Sequence, residues 1–197
     1  MAEEVSTKEK ILLEAMELFS TYGYKTVTVR TIASKVGIRD SGLYKHYPSK
    51  RAIFEAIVAT AKERFLSRAE VAKVTDIRLA TMKAACLSMF NFQTTDLWAT
   101  SLRKILMSEM FHDKEMADIY KEIFINMPIR NESIVFDNLI KSGFMKKGDA
   151  KVYAMELYAP FFLYHSVSFD YTELEGRFKT HVDNFIKAYF TIKRMDK

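Results

Sequence analysis

The chain has 197 residues, of which 49% are hydrophobic and 28% charged, with 6 Gly, 3 Pro and one Cys. This composition excludes collagenous, disordered and disulfide-stapled classes, and the length is enough to bury a core without cross-links. The sequence has no run of about 18 apolar residues, and its acidic start at Glu3 and Glu4 is unlike a signal peptide. We therefore expect a cytoplasmic protein that makes no contact with a membrane.

The formal net charge is +5, and most of the basic excess is N-terminal. Residues 1–68 hold 12 Lys and Arg against 8 Asp and Glu, whereas residues 69–197 hold 18 against 17. Within residues 25–51 there are seven cations and one anion, Asp40. A cluster this dense is typical of a surface that binds a polyanion, and a solvated basic face without a partner is the alternative.

The first two predicted helices have clear start and end signals. Ser6 and Glu9 have the spacing of a capping box, and apolar residues then repeat at helical spacing up to Gly23. Thr28 is the predicted N-cap of a shorter second helix that ends at Gly37. Two short helices that join at a Gly turn, cationic outside and apolar inside, indicate a helix-turn-helix that enters the DNA major groove.

The rest of the chain is also predicted to be helical. A third helix is expected from about residue 39 to 47, ahead of Pro48, and Ser49 is the expected cap of a long fourth helix. Further helices are predicted at residues 76–93, 97–111, 113–126, 131–142, 149–167 and 172–194. The fold class is therefore all-α, with an N-terminal three-helix module at 1–48 and a larger helical domain at 49–197, which begins with a connecting helix at 49–68.

Two runs of sequence resemble a known family. Residues 23–38 read GYKTVTVRTIASKVGI, and residues 43–50 read LYKHYPSK. Both closely resemble the DNA-binding region of TetR-family transcriptional regulators, over about a quarter of the chain. The resemblance implies a helix-turn-helix DNA-binding domain at 1–48, a ligand-binding and dimerisation domain at 49–197, and a homodimer on double-stranded DNA.

The resemblance also implies which residues contact DNA. Thr28 would offer a hydroxyl and a helix N-terminus to a phosphate, Arg30 suits the edge of guanine, and Tyr44 and Lys50 correspond to a phosphate-clamping pair. Tyr44 could instead be a core aromatic. The predicted DNA-binding residues are Thr28, Arg30, Arg39, Asp40, Ser41, Gly42, Tyr44, Lys45, His46 and Lys50.

The start of the third helix departs from the family pattern. Arg39 occupies the usual position of a capping Ser, and the following Gly is shifted by one residue. Asp40 or Ser41 could cap the helix instead, which would start it slightly later.

Residues 82–169 are rich in Met and aromatic side chains. Most of these belong in the core of a helical bundle, but flexible Met side chains also suit an adaptable apolar pocket. Because the family holds an effector cavity in this domain, we expect a small apolar or amphipathic effector. Glu109 could be a polar group in the pocket or a surface charge, and the same choice applies to Glu156. The predicted ligand-binding residues are Met89, Phe92, Trp98, Met107, Glu109, Phe111, Tyr120, Phe124, Tyr158 and Phe162.

The last two predicted helices are apolar enough to need a covering partner. In the family the corresponding pair packs against its two-fold mate as a four-helix bundle. Pro160 is expected to kink the first of the two helices. The predicted dimerisation residues are Phe161, Phe178, Val182, Phe185, Ile186 and Tyr189.

Three functions remain open at this point. The first is a homodimeric, ligand-responsive repressor of a pseudo-palindromic operator, and the second is a regulator of the same fold that activates transcription or is controlled by a protein partner. The third is an all-α enzyme that uses Glu109, Glu156 and a histidine. We expect no catalytic residue, metal or cofactor, because the four histidines lack metal-ligand spacing and Cys86 has the surroundings of a small core residue.

Overall fold

A computed structural model of the chain describes residues 5–71, 79–165 and 171–191. These residues confirm the all-α fold. A π-helical turn, Lys121–Asn126, joins α7 to α8, and an isolated β-bridge pairs Met145 with Phe190. The α-helices of the described ranges are α1 Thr7–Tyr22, α2 Val29–Val36, α3 Asp40–Tyr44, α4 Lys50–Val71, α5 Leu79–Thr95, α6 Leu97–Glu109, α7 Lys114–Tyr120, α8 Met127–Lys141, α9 Ala150–His165 and α10 Tyr171–Tyr189.

The predicted caps of α1 and α2 are confirmed. The Ser6 hydroxyl accepts a hydrogen bond from the backbone N–H of Glu9 at 3.2 Å, and the Thr28 hydroxyl accepts one from Thr31 at 3.1 Å. Gly37 ends α2 in the left-handed conformation, with φ 79° and ψ 28°. Such a conformation costs glycine little and other residues more, so the sharp turn into α3 depends on this residue.

The third helix is shorter than predicted. Arg39 is the N-cap residue of α3 and makes no side-chain capping bond, so neither Asp40 nor Ser41 caps the helix. Asp40 instead lies in the first turn, where its negative charge is favourable near the helix N-terminus. The helix ends at Tyr44, and the segment up to Pro48 continues as a turn in which the Tyr47 N–H donates to the Leu43 carbonyl at 3.0 Å.

Two predicted boundaries differ in the second half of the chain. The helix predicted to begin at residue 131 begins at Met127, directly after the π-helical turn, and holds Pro128 in its first turn. The helix expected at 113–126 consists of α7 and the π-helical turn. Pro160 lies inside α9, which runs to His165. The predicted helix ends at residues 76, 167 and 194 lie outside the described residues.

The chain divides into two compact units. The head unit consists of Met1–Ser67 with Asp96–Lys121, and the bundle unit consists of Arg68–Thr95 with Glu122–Lys197. Within the head unit, α1 packs against α2 and α6, α2 against α3, and α6 against α7. The helix-turn-helix is therefore supported by α6, a helix that is distant in sequence.

Each unit has its own apolar core. The fully buried side chains of the head unit come from five helices, α1, α2, α3, α4 and α6, and include Ile11, Phe19, Ile32, Leu43, Phe54 and Leu102. In the bundle unit, α8 packs against α9, and α10 packs against α5 and α9. There the rings of Phe90 and Phe178 stack at 4.4 Å between centroids. Full burial of such a side chain contributes about 1.5–3 kcal/mol to folding.

Candidate nucleic-acid interface and effector cavity

The outward face of the helix-turn-helix is polar. Ile32 and Leu43 anchor α2 and α3 in the core with no exposed surface, so the opposite sides of both helices face solvent. Tyr44 is 52% exposed, which excludes its alternative role as a core aromatic. Gly42 and Lys50 are half-buried. The other predicted DNA-binding residues are exposed, namely Thr28, Arg30, Arg39, Asp40, Ser41, Lys45 and His46.

The seven cations of residues 25–51 fall into two groups. Four of them contact acidic side chains or backbone carbonyls of the head unit: Lys25, Lys35, Lys50 and Arg51. Arg30, Arg39 and Lys45 form no salt bridge with any acidic residue of the described part of the chain, and all three are exposed. They lie on α2, at the α2–α3 turn and directly after α3. The charge available to an external anion is therefore concentrated around the second and third helices.

Lys50, at the start of α4, holds the segment that leads into α2. Its ammonium group donates hydrogen bonds to the carbonyls of Tyr24 at 2.8 Å, Val27 at 2.9 Å and Lys25 at 3.4 Å. The same group lies 4.4 Å from the centre of the Tyr24 ring. A lysine has three donors, so all of them have a partner in the protein. Burial lowers the pKa of Lys50, an effect that the charge of Glu109 opposes.

Glu109, at the end of α6, contacts the same segment. One carboxylate oxygen accepts a hydrogen bond from the backbone N–H of Lys25 at 3.3 Å, and the other lies 3.5 Å from the Lys25 ammonium group. A side chain at Gly23 would place its Cβ 3.5 Å from the same carboxylate, and Gly23 has a positive φ of 83°. Glu109 is buried and ties α6 to the turn between α1 and α2.

Two arginines fix α4 within the head unit. Arg51 forms an ion pair with Glu115 of α7, and Arg64 forms one with Asp96, the N-cap of α6. Partial burial raises the pKa of Asp96, but hydrogen bonds from Arg64 and from backbone N–H groups outweigh this effect and lower it. Movement of α4 would therefore act on α6 and α7 as well as on the helix-turn-helix.

The bundle unit contains a partly open cavity of about 60 Å³. Its walls are mostly apolar, and its oxygen-bearing side chains are Glu132 and Tyr158. The Tyr158 hydroxyl donates a hydrogen bond to the Glu132 carboxylate at 3.4 Å. Burial raises the pKa of Glu132 to about 7, although the bond from Tyr158 works against this. The lining residues are Met82, Ala85, Cys86, Met89, Glu132, Val135, Leu157, Tyr158, Phe161 and Phe178.

The N-terminal helices match a family of known DNA-binding proteins. Residues 11–57, which extend from α1 into α4, match the model for bacterial regulatory proteins of the TetR family. These residues form a DNA-binding region of the TetR family. The match supports the prediction of a DNA-binding regulator over that of an enzyme. Glu109 and Glu156, the acids of the enzyme hypothesis, lie in different units, and neither lines the cavity.

Two relatives within this family carry the same name. The nucleoid occlusion factor SlmA of Marinobacter nauticus is 38% identical over 66 residues, which are 34% of this chain and 34% of that protein. The nucleoid occlusion factor SlmA of Vibrio atlanticus is 24% identical over 156 residues, which are 77% of this chain and 79% of that protein. The chain thus spans about a third of the first TetR-family relative and about four fifths of the second.

Solved structures share the TetR fold over nearly the whole chain. A TetR-family transcriptional regulator of Mesorhizobium loti has a TM-score of 0.75 at 18% identity, over 94% of this chain and 97% of that one. SmeT, solved in complex with triclosan, has a TM-score of 0.73 at 21% identity, over 94% of this chain and 92% of that one. At these identities the likeness concerns the fold. Among the residues that the structure describes, no helix has the length and apolar character to cross a bilayer.

The structure places only part of the predicted ligand-binding set at the cavity. Met89 and Tyr158 line it. Phe92, Phe124 and Phe162 belong to the bundle unit but lie outside the cavity wall. The remaining predicted residues belong to the head unit, where Phe111 is 80% exposed and Glu109 contacts Lys25; they are Trp98, Met107, Glu109, Phe111 and Tyr120.

The predicted dimerisation residues lie mostly inside the bundle unit. Phe161, Phe178, Val182, Phe185 and Ile186 are buried within the single chain, and Tyr189 is half-buried. Exposed apolar side chains occur instead on α9, where Val152, Met155 and Leu163 are 45%, 51% and 62% exposed. Positions 152, 155 and 163 share one face of a helix with 3.6 residues per turn.

Sequence reasoning missed Glu132, although a signal for it was present. Ile129, Glu132, Phe136 and Leu139 follow one another at spacings of three and four, which places Glu132 on the apolar face of α8. The predicted start of this helix at residue 131 cut that pattern short. The structural role of Lys50 has no comparable signal, because its carbonyl partners are 23 to 26 residues away in sequence.

Proposed function

We propose that the protein is a ligand-responsive transcriptional repressor. Two copies would bind a pseudo-palindromic operator, with one helix-turn-helix in each half-site, and a small apolar or amphipathic effector would release them. The observation that carries the proposal is the exposed cluster of Arg30, Arg39 and Lys45 on a helix-turn-helix of the TetR family. The site of action would be the cytoplasm, where bacterial DNA lies.

The contacts with DNA are proposed from position and chemistry. Arg30 would make a bidentate contact to guanine from α2, Tyr44 would contact a phosphate, and Lys45 would contact a phosphate or a base near the end of α3. Arg39, Asp40, Ser41, Gly42 and His46 complete the proposed contact face. Thr28 would present its helix N-terminus to a phosphate. Lys50 would add its charge to this surface while it holds the entry to α2.

The dimer interface is proposed on the exposed apolar face of α9. Val152, Met155 and Leu163 would otherwise leave three large apolar side chains of one helix face in water. A second copy is the proposed occupant, because a two-fold dimer presents the same patch from both chains and matches the symmetry of a palindromic operator. The variant M155E/L163E is expected to be monomeric in sedimentation. The matched control is L97E, which adds a charge at an exposed leucine of the head unit.

Release by an effector would depend on α4. Two helix-turn-helix modules bind one duplex only if their separation matches a helical turn of about 34–36 Å or a multiple of it. A shift of α4 by a few ångströms would disturb that match, and the Arg51–Glu115 and Arg64–Asp96 ion pairs would transmit it within the head unit. An effector can act in this way only if it binds the DNA-incompetent state more tightly.

Mobility shifts of genomic fragments test the DNA-binding part of the proposal. We expect sequence-selective binding that weakens steeply as the salt concentration rises, because Arg and Lys contacts to phosphates release counterions. Binding that is absent, or that is insensitive to salt, would contradict the proposal. A screen for compounds that release the shifted fragment then tests the response to an effector.

A second candidate is a DNA-binding regulator that is controlled by a protein partner. Its support is the name of the two relatives, both nucleoid occlusion factors. The cavity in the bundle unit favours the effector-controlled candidate, although its volume of about 60 Å³ requires side chains to move before a larger molecule can enter. Release of DNA by a purified small molecule alone would decide for the first candidate.

A further inference from the structure

The chemistry of the cavity in the bundle unit indicates a class of effector. Glu132 lines the cavity together with Tyr158, Cys86 and side chains that are otherwise apolar or aromatic. Burial raises the pKa of Cys86 to about 12, and it raises that of Tyr158 well above its usual value. Both groups are therefore neutral near pH 7. Glu132 is the cavity-lining side chain that can carry charge at that pH.

The carboxyl group of Glu132 has few partners of its own. From the residues that the structure describes it accepts one hydrogen bond, which comes from Tyr158 at the long distance of 3.4 Å. No Lys, Arg or His of residues 5–71, 79–165 and 171–191 forms a salt bridge with it. A carboxylate offers about four lone-pair sites, and a buried charge without compensation is unfavourable. A positively charged ligand would compensate the negative charge of Glu132, for which the described residues provide no cation.

The aromatic rings around Glu132 also suit a cation. Tyr158, Phe161 and Phe178 all line the cavity, with ring centroids 5.3 Å apart for the first pair and 5.0 Å apart for the second. A cation that sits within about 6 Å of an aromatic ring face is attracted by the electrons of that ring. An anionic ligand would be repelled by the ionised Glu132 carboxylate, and a purely apolar ligand would favour its protonated, neutral form, whereas a cation would favour the ionised form and pair with it.

We propose that the cavity binds a small organic cation whose charged group lies against Glu132 and whose apolar body lies among Tyr158, Phe161 and Phe178. This inference rests on the proposed response to an effector and names the chemistry of the effector. The cavity of about 60 Å³ is small, so the flexible side chains of Met82 and Met89 would move to admit the apolar body.

The test compares two ligands of the same shape. Benzyltrimethylammonium carries a positive charge, and neopentylbenzene is its neutral counterpart with carbon in place of nitrogen. We expect the full-length wild-type protein to bind the cation at least about tenfold more tightly in calorimetric titration. The E132Q variant should lose at least about tenfold in affinity for the cation and keep its affinity for the neutral compound. The control is E156Q, which removes an exposed carboxylate outside the cavity.

Several outcomes would overturn the inference. They are equal binding of the two compounds by the wild-type protein, binding of neither, and cation binding that E132Q leaves unchanged. The comparison of ligands on the wild-type protein stands even if E132Q does not fold. A mobility shift with each ligand separates this inference from the proposed function. If the cation binds through Glu132 but does not release DNA, the proposed response to an effector is wrong and the cation site stands. If neopentylbenzene releases DNA from both the wild-type protein and E132Q, the response to an effector stands and the proposed preference for a cation is wrong.

Discussion

Glu109 and Lys25 are 84 residues apart in sequence, yet the Glu109 carboxylate accepts a hydrogen bond from the Lys25 backbone N–H at 3.3 Å. The second carboxylate oxygen lies 3.5 Å from the ammonium group of the same lysine. Lys25 belongs to the short segment between α1 and α2, three residues before the N-cap Thr28. The end of α6 thus helps to set where the DNA-facing helix begins.

Removing this link should weaken DNA binding without any change on the DNA-facing surface. We expect E109A to lower the free energy of unfolding by about 1–2 kcal/mol, because a buried carboxylate that accepts a backbone hydrogen bond is lost. DNA affinity should fall several-fold as the entry to α2 loosens. Chemical denaturation and fluorescence anisotropy with an operator duplex measure the two effects. E17A, at an exposed position of α1, is the control and should change neither.

A second prediction concerns Lys50, whose ammonium group is held by three backbone carbonyls. K50M keeps most of the side-chain length but removes the donors, so it should lower the free energy of unfolding by about 2 kcal/mol in the absence of DNA. If the only role of Lys50 were to contact a phosphate, K50M would leave the free energy of unfolding unchanged. K62M, at an exposed position of the same helix, is the control.

The helix caps and the turn after α2 in the head unit could be predicted from the sequence because their signals are local. The Ser6 and Thr28 caps and the turn at Gly37 depend on residues within four positions of one another, and all three are confirmed. The support from α6 could not be predicted in the same way. Neither Glu109 nor Lys50 has a local sequence signal for its partners. The partner of Glu109 is 84 residues away in sequence, and those of Lys50 are up to 26 residues away.

The cavity shows a different limit of sequence reasoning. Met and aromatic residues are abundant throughout residues 82–169, so composition indicated an apolar interior without selecting its lining. Met89 and Tyr158 were among the predicted residues, whereas Glu132 was not, because the helix start was placed four residues late. The side on which a helical residue lies depends on the helix boundary, and boundaries are where periodicity gives the weakest signal.

A third prediction separates the roles of two cations on the DNA-facing surface. R30A should weaken operator binding by about 1–3 kcal/mol and reduce the preference for the operator over unrelated DNA, because a base contact is lost. K45A should weaken binding to both duplexes alike and reduce the slope of log affinity against log salt by about one per chain. Anisotropy titrations at four salt concentrations provide the measurement. K104A, an exposed lysine of α6, is the control and should preserve affinity and slope. Equal effects of R30A on operator and unrelated DNA would contradict its role in base contact.

A fourth prediction follows from the raised pKa of Glu132, about 7 in the folded state against an ordinary value of 4.5. The folded protein prefers the protonated carboxyl, so this group favours folding most below about pH 4.5, and the contribution is lost as the pH rises to about 7. The full contribution of Glu132 to the free energy of unfolding over this pH range is about 3 kcal/mol. E132Q should therefore be more stable than the wild type at pH 8 and should lose the advantage at pH 5. Thermal unfolding at both pH values measures this. A variant that is less stable at pH 8 would contradict the prediction, and E156Q should follow the wild type at both values.

Two copies of the chain are proposed to bind one operator through the exposed cations of their head units. Native mass spectrometry of the full-length protein, mixed with a duplex selected from its own genomic fragments, measures this stoichiometry. We expect a complex of two chains and one duplex that dissociates as the salt concentration rises and that does not form with the R30A/K45A variant. A chain that remains monomeric in the presence of that duplex, or one that binds it as a single copy, would rule out the proposed dimeric regulator.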